Sequence, residues 1–167
     1  MLLVYTGNGK GKTSATVGQA VRAMGQGLKV AFAQFMKSDV KAGEQRLLEK
    51  ELGQNFLIGG CGFYRDDKER ERHRQAALEV LDWAERRVKN HDMILLDEAL
   101  YALGAGLLTE EELKAFIVLC RSENTHLVLS GRGVPGWLAA EAGMITEMVP
   151  VKHHFDAGIK AQKGIEF

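Results

Sequence analysis

The chemistry of this chain concentrates in three short stretches. The first, Thr6-Gly7-Asn8-Gly9-Lys10-Gly11-Lys12-Thr13, sets alternating glycines ahead of a Gly-Lys-Thr triplet. Between a strand and a helix such a loop suits phosphate. Glycines let backbone N–H groups curl around phosphate oxygens without Cβ clashes. The following helix start adds partial positive charge and unpaired donors. Lys12 supplies a point charge to the distal phosphates, and the Thr13 hydroxyl is a ligand for Mg²⁺. One departure stands out. The usual spacing, G-x-x-x-x-G-K-[ST], requires glycine at position 6, where Thr6 stands; the first glycine, Gly7, comes one place late.

The second stretch is Leu95-Leu96-Asp97-Glu98. An apolar strand ending in acidic residues is the expected Mg²⁺-side partner of a phosphate loop, because Mg²⁺ is satisfied by a few carboxylate and hydroxyl oxygens beside phosphate. The third is Ser130-Gly131-Arg132-Gly133, which also ends an apolar run. Arg132 there can reach phosphate or another anion.

These stretches need a scaffold that brings strand ends together. Short apolar runs occur at Leu2–Tyr5, Val30–Phe35, Asn55–Ile58, Met93–Leu96, His126–Ser130 and Ile145–Val149. Continuous apolar runs suit strands covered on both faces, as in parallel sheets. Helical patterns lie between them, at Lys12–Met24, Gly43–Leu52, Asp66–Asn90, Thr109–Arg121 and Pro135–Ala142. Thr109 with Glu112 makes a capping box at the start of one of them. The alternation predicts an α/β fold with a mainly parallel six-stranded sheet, one domain over residues 1–167. Parallel strands would gather all three chemical stretches at one edge. The charged segment Asp66–Arg74 reads as a solvated helix start laced by the pairs Asp66 with Arg70 and Glu71 with Arg74, or else as a lid. Ala99–Leu108 reads as a buried helix or an interface.

Composition narrows the class. Apolar residues make up 46% and charged residues 26%, a globular mixture rather than a disordered one. The 22 basic side chains balance the 22 acidic ones, so the electrostatic footprint of a nucleic-acid binder is missing and no nucleic-acid partner is expected. Cys61 and Cys120 have no zinc or redox spacing and read as buried free thiols. No apolar run is long enough to span a bilayer, and the first residues do not read as a signal peptide, so a cytoplasmic protein with no membrane partner is expected.

Taken together, the motifs closely resemble the P-loop type of ATP:cob(I)alamin adenosyltransferase, the corrinoid adenosyltransferases. The matching stretches are TGNGKGKTSA at 6–15, AFAQFMK at 31–37, GF at 62–63, ILLDEALYAL at 94–103, LVLSGRGVP at 127–135 and ITEMVPVKHHFDAGIKAQKGIEF at 145–167. The late glycine is itself a mark of that family, and the C-terminal stretch is foreign to general P-loop ATPases.

The resemblance implies a three-layer P-loop, RecA-like fold and transfer of the 5′-deoxyadenosyl group of ATP to the cobalt of a reduced corrinoid, with triphosphate released. It implies ATP as co-substrate, bound reversed with its γ-phosphate deepest, together with Mg²⁺. It further implies a cytoplasmic homodimer, with a flavoprotein as the source of electrons for cobalt(I). ATP contacts are expected from Gly7, Asn8, Gly9, Lys10, Gly11, Lys12, Thr13 and Ser14, with Arg22, Arg132 and His153. Metal ligation falls to Thr13 and Glu98, with Asp97 as a further candidate. Lys12 and Phe63 carry the catalytic roles, Lys12 at the leaving group and Phe63 as the aromatic that displaces the lower axial ligand of cobalt. Arg65 stands where relatives commonly carry Trp. Some relatives have an N-terminal helix over the corrinoid; here the corrinoid site is more open, or a segment such as Asp66–Arg74 covers it.

Adjacent His153 and His154 point in different directions in helix or strand and so chelate poorly. Met24, Met36, Met93, Met144 and Met148 read as core or interface packing. Two other readings compete: a P-loop nucleoside kinase, which would release ADP, and an ATP-dependent protein that binds or delivers a corrinoid without alkylating it.

Overall fold

The computed structural model describes residues 1–38, 42–62 and 64–166, with side chains for all of these except Phe155 and Asp156. Six strands, β1 (Leu2–Thr6), β2 (Val30–Gln34), β3 (Phe56–Ile58), β4 (Met93–Asp97), β5 (His126–Ser130) and β6 (Met144–Glu147), form one sheet in the order β3-β2-β4-β5-β1-β6. Every pairing is parallel, so the expectation of a mainly parallel sheet holds throughout. Among the described residues six α-helices connect or flank them: α1 (Lys12–Gly25), α2 (Gly43–Leu52), α3 (Arg70–Glu85), α4 (Ala99–Gly104), α5 (Glu110–Ser122) and α6 (Gly136–Glu141).

The period of two along each strand feeds two cores. Leu2, Val4, Ile94, Leu96, Leu127 and Leu129 pack on one face with Ala77, Leu81, Phe116 and Leu138 from the helices. Leu3, Tyr5, Phe32, Leu95 and Val128 pack on the other with Ala20, Ala23 and Leu48. Helices therefore sandwich the sheet, giving three layers. The strand carrying the glycine loop and the strand carrying the acidic pair are separated only by β5, so their C-terminal ends lie close on the same edge.

Several expectations change. The long helix over Asp66–Asn90 is three pieces: a tight turn at Asp67–Glu69, then α3, then a second tight turn at Val88–Asn90. The Asp66 carboxylate accepts from the Lys68 amide and caps the first turn. At the far end the Arg87 guanidinium stacks 3.7 Å over the Trp83 ring and donates to the Trp83 and Gln54 carbonyls, which takes over the end of the helix. The local pairs expected in Asp66–Arg74 give way to longer ones. Arg70 donates to the Gly106 carbonyl at 2.9 Å, and Arg74 grips Glu112 through both guanidinium nitrogens while donating to the Leu107 carbonyl.

Ala99–Leu108 contains α4 and packs into the core through Ala99, Leu100, Ala102, Leu107 and Leu108, all buried, while Tyr101, Leu103 and Ala105 stay half-buried. The capping box of α5 is present in both directions, Thr109 Oγ1 accepting from the Glu112 amide and the Glu112 carboxylate from the Thr109 amide. β6 starts one residue early and stops at Glu147, because Met148 turns to meet the glycine loop; as an edge strand it leaves Met144 and Ile145 exposed rather than buried. Cys120 is buried, whereas Cys61 is half-buried. No described helix is long and apolar enough to cross a membrane.

Candidate active site

β1 delivers the chain into the loop, and Gly11 serves as N-cap of α1 at φ 123°. Gly7 (φ 102°) lies so close to the turn after β6 that a Cβ would sit 2.4 Å from the Met148 carbonyl oxygen; at Gly9 the distance would be 2.8 Å. The Gly9 amide donates to that same oxygen at 2.7 Å. Two of the three loop glycines are thus required by the protein's own backbone and not by phosphate alone, a demand that no local pattern reveals. Lys12 is buried and donates from Nζ to the Gly7 (2.8 Å) and Gly9 (2.9 Å) carbonyls, which braces the loop. Its burial lowers the lysine pKa, as does the nearby Arg132 cation, while Glu98 and Asp97 oppose the shift.

Asp97 is the hub of the site. It is completely buried at the end of β4. Thr13 Oγ1 donates to its two oxygens at 3.2 and 3.1 Å, Gln34 Nε2 donates to Oδ2 at 3.2 Å, and Ser130 Oγ donates to Oδ1. Gln34 is the residue directly across from Asp97 in the β2–β4 register. Its own Oε1 accepts from Gln45 Nε2 at 2.8 Å, which ties α2 to the hub. The carboxylate therefore gathers strands β2, β4 and β5 and helix α1 around one charge.

Glu98 follows in the left-handed conformation (φ 60°), its amide donating to Ser130 Oγ at 3.0 Å. A non-glycine residue held there is strained, and such strain concentrates at functional sites. Burial first, then the neighbouring Asp97, raises the Glu98 pKa, while Lys12, Lys37 and Arg132 pull it back. Glu98 faces a cavity of about 560 Å³, a size suited to a nucleotide-sized ligand. Lys10, Gly11, Lys12, Thr13 and Ser14 line the same cavity. So do Lys37 from the end of β2, Glu44 at the start of α2, and Gly164–Glu166 from the C-terminal end.

The expected residues do not all converge. Arg22 stands exposed in the last turn of α1, about 15 Å along the helix axis from Lys12 at 1.5 Å per residue, and does not line the cavity. Arg132 is exposed at the end of β5; its charge is felt by Lys12 and Glu98, and its side chain lines a neighbouring cleft with Leu108, Val134 and Pro135. Asn8 is exposed on the loop. His153 and His154 do not diverge: their rings stack with centroids 4.6 Å apart, because the segment is neither helix nor strand at His153. His154 Nε2 lies 3.6 Å from Glu166. Phe63 lies outside the described residues.

The family model for ATP:corrinoid adenosyltransferase BtuR/CobO/CobP matches residues 1–167. The chain belongs to this family. The corrinoid adenosyltransferase of Escherichia coli (strain K12) is 40% identical over 172 residues, an alignment that covers 100% of this chain and 85% of the relative. The corrinoid adenosyltransferase CobA of Salmonella typhimurium is 37% identical over 169 residues, again with 100% and 85% covered. The Pseudomonas aeruginosa corrinoid adenosyltransferase is 38% identical over 172 residues, with 100% and 83% covered. As a family member the chain is a transferase that adenosylates corrinoids from ATP, and the kinase and delivery readings give way.

Residues that motif reading passed over also stand at this cavity or at the Asp97 hub. Gln34 carried a signal: it is the one polar residue in Val-Ala-Phe-Ala-Gln-Phe at 30–35, at the same strand end as the acidic pair. Lys37 lay in a matching stretch without being singled out. Glu166 likewise lay in a matching stretch, at 145–167, without being singled out. Gln45 carried no such signal, since its bond to Gln34 joins two different elements.

Proposed function

We propose that the cavity binds ATP with its triphosphate on the glycine loop, γ-phosphate deepest, and turns C5′ outward to a cobalt(I) corrinoid. What supports this is the convergence of Lys12, Thr13 and Glu98 on one cavity at the C-terminal sheet edge of a chain in this family. Cobalt(I) brings its own electron pair. The cobalt–C5′ bond forms as the C5′–O bond breaks, and triphosphate leaves with the bonding pair. The protein then needs no general base. Its work is alignment and stabilisation of the departing charge, by Lys12, Lys10 and the first-turn N–H groups of α1.

The donors fit Mg²⁺, being a hydroxyl and carboxylates at the phosphate end of the cavity. Thr13 and Glu98 would hold the ion, with Asp97 orienting the Thr13 hydroxyl, and when bound it would neutralise charge on the triphosphate. Phe63 is assigned the lower face of the corrinoid. In support, the glycines before it pack against the end of β2 beside Lys37: a Cβ on Gly60 would meet the Met36 amide nitrogen at 2.6 Å. Arg132 is assigned to phosphate and His153 to the nucleotide. The enzyme works as a cytoplasmic homodimer, with cobalt reduced by a flavoprotein.

The test is an anaerobic reaction of Mg-ATP with chemically reduced cobalamin. Light-sensitive adenosylcobalamin and triphosphate should appear in equal amounts, and Lys12→Met should lower kcat by roughly a hundredfold or more, as for loss of one leaving-group donor. ADP or orthophosphate as the nucleotide-derived product would overturn this reading.

A further inference from the structure

Glu166 is used by nothing above, yet it forms part of the wall of the ATP cavity. Its carboxylate lies 3.8 Å from Lys10 Nζ, on the glycine loop itself, and 3.6 Å from His154 Nε2. Oε2 accepts from the Gln162 amide at 2.7 Å, which closes the turn Gln162–Glu166 with the help of the Glu166 amide donating back to the Gln162 carbonyl at 2.9 Å. Oε1 is buried and has no hydrogen-bond partner among the described residues, although the Lys10 ammonium and the His154 ring flank it. A carboxylate in the wall of a site for a polyanion repels that ligand and occupies a cation the ligand would use. A wall serving affinity alone would carry a neutral or basic group here.

We propose that Glu166 is a resident counter-anion of the triphosphate site: it positions Lys10 and competes for it with phosphate oxygens, which loosens the hold on ATP and on released triphosphate alike. The proposal rests on the ATP reading of the cavity. It makes Glu166 a positioning residue that sets affinity for the polyphosphate and leaves the nucleoside untouched.

Glu166→Gln is a clean probe, because the amide oxygen can still accept from Gln162 and keep the turn closed. Calorimetric titration of Mg-triphosphate, Mg-ATP and adenosine should be run on the wild type, Glu166→Gln, Lys10→Met and the double variant. Glu166→Gln should tighten triphosphate and ATP by about two- to fivefold, the range expected for a partly exposed ion pair, and leave adenosine unchanged. In the Lys10→Met background the tightening should shrink to less than half. Glu166→Asp, which keeps the charge but withdraws it by one methylene, should tighten binding by less than Glu166→Gln. Weaker or unchanged triphosphate binding in Glu166→Gln would overturn the proposal. So would tightening that persists in full without Lys10, or an equal shift for adenosine. A wild-type protein that binds neither ATP nor triphosphate would instead remove the nucleotide reading beneath it.

Discussion

Replacing Asp97 with Asn changes one atom and should damage the fold as well as the reaction. Three side chains donate to this completely buried carboxylate, and Ser130 and Gln34 approach opposite oxygens. Whichever way the Asn amide turns, its NH₂ faces one of those donors. Gln34 cannot flip to help, because its Oε1 already accepts from Gln45. One buried donor left without an acceptor costs about 1–3 kcal/mol, and the surviving bonds lose roughly 1 kcal/mol each when their acceptor becomes neutral. Relief from burying a charge offsets part of this. The net should be about 2–4 kcal/mol, which for a chain of this length lowers Tm by roughly 5–15 °C. Thermal unfolding followed by circular dichroism reads it directly. Glu98→Gln is the control: that side chain faces the cavity, so Tm should move by no more than about 2 °C while turnover falls. An Asp97→Asn protein whose Tm lies within a degree of the wild type would refute the hub.

Three further outcomes are expected. Burial raises the Glu98 pKa, so the folded protein favours the protonated form; its contribution to stability is complete below the ordinary glutamate range and is lost as pH rises through the raised value. Urea unfolding from pH 4 upward should show that loss in the wild type and lack it in Glu98→Gln. Arg74 has the opposite effect on Glu112, holding its carboxyl below the usual range, so this pair's contribution is present above the ordinary glutamate pKa and lost as pH falls through the depressed one. Glu112→Gln should cost about 1–2 kcal/mol at neutral pH and flatten the acid limb of the stability profile. Burial pushes the Cys120 thiol up to about 12, whereas Cys61 is half-buried; a thiol reagent at pH 8 should label Cys61 in the folded protein and reach Cys120 only on unfolding.

Much of this architecture is legible in the chain itself. Apolar runs bounded by turn residues mark the six described strands to within two residues; for β1, β2, β4 and β5 the reason is that strands buried on both faces carry no polar alternation to confuse them. The Thr109–Glu112 box marks the start of α5 because capping is a local interaction. Asp66–Asn90 fails for the converse reason. Its helical periodicity is continuous, and what ends α3 is a cation–π stack and a bond from Arg87 to Gln54, a residue 33 positions away. Ala99–Leu108 reads as a buried helix or an interface, since apolar composition does not say what covers it.

The same division runs through the site. Residue types and spacing alone determined that a glycine loop at Gly7–Thr13 would join a strand to a helix, that Asp97 and Glu98 would end a strand, and that both would share an edge, because those are consequences of local backbone chemistry and of parallel strand direction. Only the tertiary structure decided which neighbours they have. The β2–β4 register sets Gln34 against Asp97; the helix after the loop brings Thr13 to a carboxylate 84 residues away; the turn at Met148 imposes Gly7 and Gly9; and the C-terminal end folds back to place Glu166 beside Lys10. Each of these is a contact between segments far apart in sequence, formed because closing the sheet and burying its two faces brings them together, and no window of sequence contains both partners.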